Sequence, residues 1–278
     1  MTDGSLAEGG DRAGQATHPL AERRKDLDLG LHMANVADRM TMKAFESESA
    51  DHEIKADGTP VTDADREVEA SLRALLATDR SDDGFMGEET GVKPGRGRRW
   101  IVDPIDGTRN YIAQRKGWST LIALEEEHNV TIGIASAPAI GCRWWGADAI
   151  GAYSRRHNAE AVSLLTSATS SMEEARWTCH PSRKLFRDHS PELADRLELC
   201  GRYVKPRFHP ILMVAEGIVD LCVQLSGQPW DYAGFIGVVT AAGGTFSYLD
   251  GSTVLGPSRP ALFTNGHVHD EVLHRLSG

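Results

Sequence analysis

The sequence predicts a mixed α/β protein whose first sheet is mostly antiparallel. Apolar residues recur at helical spacing from about Pro19 to Phe45. Short apolar runs that are typical of strands follow between Trp100 and Tyr153, and strand and helix patterns alternate after about residue 160. Because such a combination places helices against sheets, it indicates an α/β architecture. A chain of 278 residues suits one large domain or two closely packed ones.

The N-terminal part divides into an irregular segment and two helices. Residues 1–18 are rich in Gly, Ala, Asp and Thr and have no apolar period, so we expect a disordered extension there. The first amphipathic helix follows it. Asp57 and Gly58 then indicate a turn. Thr62 suits the N-cap of a second helix, because its hydroxyl can accept an otherwise unpaired amide of the first turn.

The middle and end of the chain alternate between strand and helix signals. The Gly- and Arg-rich residues 92–99 favour a loop, and the short apolar run 100–102 is typical of a buried strand. Two further apolar runs, separated by acidic residues, predict a hairpin. These runs are residues 120–124 and 130–136, and helices are predicted near residues 192–199, 211–217 and 232–242.

The charge and cysteine content narrow the classes of function. The formal net charge is −10, so the protein is poorly suited to binding a nucleic acid backbone, and we expect no nucleic acid partner. The acidic residues could gather cations or simply favour solubility. The four cysteines form no CxxC pair, which favours buried or free thiols over a zinc site. No apolar run approaches the ~18 residues of a membrane span, and a signal-peptide pattern is lacking, so we expect a cytoplasmic location without membrane contact.

The segment from Asp103 to Thr108 carries the clearest chemical signal. A buried strand delivers two carboxylates, Asp103 and Asp106, separated by Pro104 and Ile105. Two carboxylates at a strand end repel one another unless a cation lies between them, and Mg²⁺ prefers oxygen ligands. Gly107 lets the chain turn so that backbone amides can approach phosphate oxygens. Asp-Pro and Asp-Gly are also common turn pairs, so taken alone the segment leaves a plain turn open.

Other acidic residues have both a chemical and an ordinary structural explanation. Glu88 and Glu89 follow an apolar step and a glycine, and they could be metal ligands or a solvated acidic pair. Asp231 precedes an apolar helical stretch and could be a ligand or an N-cap. Asp65 could be a site residue or a first-turn acid that the helix dipole favours.

Four ordered motifs together identify a family resemblance. They are the segment from Lys55 to Asp65, Gly87-Glu88-Glu89, the segment from Trp100 to Tyr111, and Trp230-Asp231 followed by Ala242-Gly243-Gly244. In this order and spacing they resemble the inositol monophosphatase superfamily over roughly residues 25–275. Three further stretches resemble its histidinol-phosphatase branch of actinobacterial type. These are Arg143-Trp144-Trp145, Ala215-Glu216-Gly217 and the stretch from Thr264 to Leu273.

The resemblance implies a fold, a reaction and a set of site residues. The fold would be a layered αβαβα sandwich, with an α+β half over residues 19–150 that carries the metal and phosphate motifs. An α/β half over residues 151–278 would contribute Asp231 and substrate contacts. The enzyme would be a Mg²⁺-dependent phosphatase that hydrolyses a small-molecule phosphate monoester with a metal-activated water. Family members are often dimers, so the resemblance leaves a homodimer open.

The roles that the resemblance implies fall on named positions of this sequence. Two or three Mg²⁺ ions would be bound, the first by Glu88, Asp103 and the Ile105 carbonyl, the second by Asp103, Asp106 and Asp231, and a weaker one through waters by Asp65. Glu89 and Thr108 would position the attacking water, and the amides of Gly107 and Thr108 would bind the phosphate. Lys55 would anchor the loop that supplies the water-binding residues.

The substrate side departs from the family pattern. Gln224 stands where the family pattern predicts Glu, and Pro206-Arg207 stands where the histidinol-phosphatase branch predicts Gly-Asp. Loss of two acids would disfavour a cationic amine, so we expect a neutral or anionic leaving group with Arg207 and Gln224 as substrate contacts. Arg207 could instead face solvent. A histidinol-phosphatase, a 3′-phosphonucleotide phosphatase and a catalytically silent binding relative stay open as alternatives.

Overall fold

The chain is seen in a computed structural model that describes residues 19–47, 52–55, 58, 60–256 and 258–277. The predicted extension at residues 1–18 lies outside them, as do Asp57 and Thr59 of the predicted turn. The helices are α1 (Leu20–Glu46), α2 (Asp63–Asp79), α3 (Thr108–Ile112), α4 (Arg183–His189), α5 (Pro191–Glu198), α6 (Leu212–Ala215), α7 (Pro229–Ala241) and α8 (His269–Ser277). The strands are β1 (His52–Ile54), β2 (Pro60–Thr62), β3 (Gly84–Gly87), β4 (Gly91–Lys93), β5 (Arg98–Asp106), β6 (Ser119–Glu126), β7 (Asn129–Ala137), β8 (Cys142–Ala147), β9 (Gly151–Arg156), β10 (Val162–Leu164), β11 (Arg176–His180), β12 (Arg202–Tyr203), β13 (Leu221–Gln224), β14 (Thr245–Tyr248) and β15 (Ala261–Thr264).

The first large sheet has eight strands in the order β10-β9-β8-β7-β6-β5-β3-β4. Its neighbouring strands are antiparallel except β3 and β5, which run parallel. The predicted mostly antiparallel sheet is therefore confirmed, as is the predicted hairpin, now β6 and β7. The second sheet has five strands in the order β12-β11-β13-β15-β14, and β1 pairs with β2 separately.

Helices and sheets alternate in layers. Helices α1 and α2 pack on one face of the first sheet, where Met33 and Leu72 join a core with Trp100. Helix α7 covers the other face and also packs against the second sheet. Helices α4, α5 and α8 cover the outer face of the second sheet. This arrangement confirms the predicted layered αβαβα sandwich.

Helix α7 lies unusually close to the first sheet because small residues face one another. A Cβ atom added to Gly237 would lie 2.3 Å from the backbone nitrogen of Gly133 on β7. A side chain at either position would therefore push the helix away from the sheet. The approach matters for function because the first turn of α7 carries Asp231, which must reach the end of β5.

The ends of strands β5 and β6 differ from the prediction because ion pairs with residues distant in sequence stabilise them. Arg98 and Arg99 belong to β5 rather than to a loop: Arg98 pairs with Asp26 and Asp83, each at 3.0 Å, and Arg99 pairs with Glu125. Since Arg99 compensates its charge, Glu125 is buried in β6 instead of lying in the hairpin loop.

Helix α6 is shorter than predicted and α4 was not predicted. The first sheet continues to Leu164, so a division at residue 150 falls inside it.

Two compositional expectations can be compared with the fold. All four cysteines are buried free thiols, as predicted. None of the helices in the described residues is long and apolar enough to cross a membrane.

Candidate metal and phosphate site

Asp103 and Asp106 lie in an irregular stretch near the end of β5. Asp103 is the register partner of Leu121, and Asp106 is the partner of Ser119, so β5 advances three residues where β6 advances two. The sequence suggested that the strand ends at Asp103. Instead, the strand bulges between the two acids and continues past Asp103. Asp103 is fully buried, and one of its oxygens accepts a hydrogen bond of 3.0 Å from the Ile105 amide.

Asp231 reaches the same place from the other half of the chain. It is the third residue of α7, where its Oδ2 accepts a hydrogen bond of 2.6 Å from the backbone amide of Gln228; the N-cap residue is Gln228 and not Asp231. Because α7 packs across β5, Asp231 meets the two acids of the bulge. One carboxylate oxygen from each of Asp103, Asp106 and Asp231 lies within 4.8 Å of the others.

The acidic cluster concentrates negative charge at a largely buried place. Burial and then the neighbouring Glu88, Asp106 and Asp231 raise the pKa of Asp103 well above its ordinary value. Burial and then Asp106 raise the pKa of Asp231 to about 7. A divalent cation among these oxygens would favour the ionised carboxylates, and an all-oxygen donor set fits a hard cation such as Mg²⁺. The residues present therefore fit the predicted metal.

Glu88 and Glu89 are held by a lysine beside the acidic cluster. Lys55 Nζ lies 2.7 Å from Oε1 of Glu88 and 2.5 Å from Oε1 of Glu89. Burial works against the lysine charge, but these two hydrogen bonds raise the pKa of Lys55 overall. Glu88 is thus paired with Lys55 and lies outside the group of three oxygens, although its charge still raises the pKa of Asp103.

Glu69 supports the turn that carries this acidic pair, and the sequence did not single it out. Glu69 is fully buried on α2. Its carboxylate accepts hydrogen bonds from the backbone amides of Glu89, at 2.8 Å, and Thr90, at 2.7 Å. A buried acid about two turns into a predicted helix gives no local sign of such a partner. The role of Glu69 therefore depends on the packing of β3 against α2, which local sequence does not reveal.

Asp65 combines a capping role with a free oxygen. Its Oδ2 accepts hydrogen bonds from the amide and the hydroxyl of Thr62, at 2.8 Å and 2.6 Å, and the Asp65 amide donates back to Thr62. The predicted N-cap is therefore confirmed. Oδ1 of Asp65 is buried and has no hydrogen-bond partner among the described residues. Burial raises the pKa of Asp65 to about 7, against the lowering effect of Thr62, and Glu89 and Glu88 raise it further.

The backbone after Asp106 turns sharply into the short helix α3. Gly107 has φ = +90°, and a Cβ atom there would lie 2.9 Å from the Gly117 carbonyl oxygen, so the position needs glycine. The Thr108 hydroxyl donates a hydrogen bond of 3.0 Å to the Ile105 carbonyl. The carbonyl that the resemblance assigns to a metal thus accepts a hydroxyl proton here. The Ile105 side chain packs with Tyr111 and Trp118 beneath the turn.

The two predicted substrate residues have different surroundings. Gln224 ends β13 and is buried; its amide group donates a hydrogen bond of 3.2 Å to the Ser226 carbonyl. Its Oε1 is buried without a partner in the described part of the chain. Arg207 is exposed in the loop before α6 and makes no side-chain hydrogen bond or ion pair with the described residues. The structure therefore does not link Arg207 to the acidic cluster.

Two histidines lie at the site although the sequence motifs did not include them. His209 Nε2 lies 3.5 Å from Oδ2 of Asp106. The rings of His180, at the end of β11, and His209 are nearly parallel, with centroids 6.3 Å apart. Neither residue lies in a motif, and they are far from Asp106 in sequence. Only the packing of the loop before α6 against β5 and α7 brings His209 there.

Comparisons with known proteins agree with this fold. The model of the inositol monophosphatase family matches residues 26–277. The histidinol-phosphatase of Streptomyces coelicolor is 39% identical over 91% of this chain and 97% of its own. The histidinol-phosphatase of Mycobacterium tuberculosis is 40% identical over 91% of this chain and 98% of its own. The solved structure of an inositol monophosphatase from Zymomonas mobilis superposes with a TM-score of 0.74 at 26% identity, covering 92% of this chain and 98% of that one.

Proposed function

The chain belongs to the inositol monophosphatase family, and we propose that it is a Mg²⁺-dependent phosphatase that hydrolyses a small-molecule phosphate monoester. The observation that carries the proposal is the group of three carboxylate oxygens, from Asp103, Asp106 and Asp231, within 4.8 Å of one another. Relatives at 39% and 40% identity are named phosphatases, which supports the reaction class. The intact set of acids argues against a catalytically silent binding protein.

Two or three Mg²⁺ ions would be held by residues already in place around the acidic cluster. Asp103, Asp106 and Asp231 would bind them directly. Glu88 would join after exchanging Lys55 for a metal, and the Ile105 carbonyl after releasing the Thr108 hydroxyl. One buried oxygen of Asp65, which accepts no hydrogen bond from the residues that the structure describes, would accept one from a metal-held water. When bound, the ions would lower the pKa of a water and offset the negative charge of the phosphate.

The remaining steps fall to this chain's own groups. Glu89 and Thr108 would orient the attacking water, and the hydrogen bond from Glu89's own amide to Glu69 keeps that turn in place. The amides of Gly107 and Thr108 would donate hydrogen bonds to phosphate oxygens, since the positive φ of Gly107 turns the backbone at the start of α3. Tyr111 and Trp118 pack behind this turn and exclude water from its back.

Two leaving groups each have an observation in their favour. Gln224, an amide where the family pattern has an acid, favours a neutral or anionic leaving group such as a polyol or sugar. The relatives named histidinol-phosphatases favour histidinol phosphate, which carries a cationic amine. The exposed Arg207 adds little to the first case, so the choice depends mainly on Gln224 and its surroundings.

Release of inorganic phosphate tests the reaction and the leaving group together. The panel should include histidinol phosphate, inositol 1-phosphate, a sugar phosphate and a 3′-phosphonucleotide, each with Mg²⁺ and with EDTA. We expect Mg²⁺-dependent release from at least one monoester. Absence of release from every compound would contradict the proposed reaction. Turnover of histidinol phosphate alone would contradict the neutral leaving group.

A charge-restoring variant sharpens the choice of leaving group. If Gln224 contacts the leaving group, Gln224→Glu should raise kcat/KM for the cationic histidinol phosphate by about tenfold relative to inositol 1-phosphate. Gln114→Glu makes the same chemical change at an exposed position and should not alter this ratio. If both variants had the same ratio of kcat/KM for histidinol phosphate to that for inositol 1-phosphate, Gln224 would not discriminate between the leaving groups.

The cytoplasmic location and the homodimer stay predictions. Size-exclusion chromatography with light scattering on the full chain would distinguish a monomer from a dimer.

A further inference from the structure

Oδ2 of Asp106 is contacted by two side chains from different parts of the fold. The Ser119 hydroxyl, on the neighbouring strand β6, donates a hydrogen bond of 3.3 Å to it. His209 Nε2 lies 3.5 Å from the same oxygen. The Asp106 side chain is 27% exposed and the His209 side chain 14%, so the contact is only partly screened by water. Both contacts therefore fall on one oxygen, and no side chain of the described residues donates a hydrogen bond to the other.

The surroundings of His209 determine which ring nitrogen carries the proton. Nδ1 of His209 is buried and has no hydrogen-bond partner among the described residues. A proton on Nδ1 would be a buried, unpaired donor, while a lone pair on Nε2 would face a carboxylate. The tautomer with hydrogen on Nε2 avoids both costs, so a neutral His209 directs its Nε2–H toward Oδ2 of Asp106 at 3.5 Å, a distance longer than that of an ordinary hydrogen bond.

The His209 ring is held by the same helix that carries Asp231. Its centroid lies 3.9 Å from that of Phe235, with an interplanar angle of 31°. Phe235 is four residues after Asp231 on α7, so the two side chains lie on the same face of the helix, one turn apart. Helix α7 thus brings one acid to the cluster and also supports the ring that contacts another acid of the cluster.

We propose that His209 is a positioning residue of the metal site. Its Nε2–H holds Oδ2 of Asp106, so that the other oxygen stays directed to a divalent cation shared with Asp103 and Asp231. The inference rests on the proposed function, because it takes Asp106 as a metal ligand. A carboxylate that is free to rotate loses more freedom when a metal binds, and outer partners of metal ligands typically contribute about 10- to 100-fold in metal affinity.

Three substitutions distinguish the contribution of the N–H group to metal binding from the contributions of the ring and of the side-chain volume. His209→Gln keeps an N–H near the position of Nε2 but loses the ring. His209→Phe keeps the ring against Phe235 but loses the N–H. His209→Met has the length of glutamine and neither feature, so the Gln and Met variants still decide the question if the Phe variant does not fold. His32→Phe is the matched control, since it makes the same change of ring at an exposed position of α1.

The readout is the affinity of the full chain for Mn²⁺, measured by calorimetry and by the electron paramagnetic resonance signal of free Mn²⁺. We expect His209→Phe and His209→Met to weaken binding by about tenfold or more, while His209→Gln stays within about threefold of the unsubstituted protein. The control should bind as the unsubstituted protein does. Circular dichroism establishes that each variant is folded.

Two results would overturn the inference while leaving the proposed function intact. One is unchanged Mn²⁺ affinity in the folded Phe or Met variant. The other is a loss in the Gln variant as large as in the Met variant, which would show that packing on Phe235 matters and the N–H does not. If the unsubstituted protein neither bound Mn²⁺ nor released phosphate, the proposed function itself would fail together with the inference.

Discussion

Asp103 lies among four other acids, so replacing it with asparagine changes charge with little change in shape. The asparagine carbonyl can still accept the hydrogen bond that the Ile105 amide donates to Asp103. What disappears is a carboxyl group whose ionised form is opposed by its burial and by the charges of Glu88, Asp106, Asp231 and Asp65. We therefore expect opposite effects on two properties. The metal-free protein should become more stable, and metal binding and phosphate release should be lost.

The size of the stabilisation follows from the distances in the acidic cluster. Two unit charges 4.8 Å apart repel by about 3 kcal/mol at an effective dielectric constant of about 20. Asp103 has two such neighbours, but the raised pKa values of Asp103 and Asp231 show that protonation already relieves part of the repulsion near pH 7. We expect a net gain of about 2–3 kcal/mol. For a chain of 278 residues, that corresponds to a rise in Tm of about 3–6 °C.

Thermal unfolding in EDTA and in Mg²⁺, together with phosphate release, checks this prediction. In EDTA, Asp103→Asn should melt above the unsubstituted protein, and Mg²⁺ should raise the Tm of the unsubstituted protein only. Asp195→Asn removes a charge from an exposed ion pair and should change stability by less than about 1 kcal/mol. The reasoning would be refuted if Asp103→Asn melted lower in EDTA, or if its Tm still rose with Mg²⁺ and its activity persisted.

Three further perturbations test the same electrostatics and the backbone. Because the folded pKa of Asp231, about 7, lies above the ordinary 3.8, the metal-free fold loses stability as the pH rises from about 4 to about 7. The stabilisation by saturating Mg²⁺ should therefore grow between pH 5 and pH 8, and the raised pKa values of Asp103 and Asp65 act in the same direction. A flat difference from urea unfolding would contradict the raised pKa. Lys55→Gln should lower the free energy of unfolding by about 2 kcal/mol in EDTA and by less in Mg²⁺, whereas the exposed Lys25→Gln should change it by under about 1 kcal/mol. An equal loss in EDTA and Mg²⁺ would show that no metal replaces the lysine at Glu88. Gly107→Ala should cost about 3 kcal/mol and most of the activity, because its Cβ meets the Gly117 carbonyl oxygen at 2.9 Å, while Gly251→Ala, with φ = +82° and open space, should cost about 1 kcal/mol. Equal costs in urea unfolding would rule out the steric clash.

Local patterns predicted most of the elements but not their exact ends. The period of α1, the N-cap of α2 and the hairpin of β6 and β7 depend on residues close together in sequence, and all three are confirmed. The start of β5 depends on Arg98 and Arg99, whose partners include Asp26 and Glu125. No window along the chain contains both members of such pairs. The stretch with Arg98 and Arg99 was therefore predicted as a loop, although it forms the beginning of the buried strand β5.

The same distinction applies to the site. The sequence by itself determined the chemistry: which acids are present, their order, and the Asp103-to-Thr108 segment whose turn needs Gly107. Only the tertiary structure decided which groups meet. It brings Asp231 to Asp103 and Asp106, pairs Glu88 with Lys55, leaves Arg207 exposed and seats His209 against Asp106. The physical reason is that a turn is set by neighbouring residues, whereas charge pairing and ring packing depend on distances in space that α7 and the loop before α6 create.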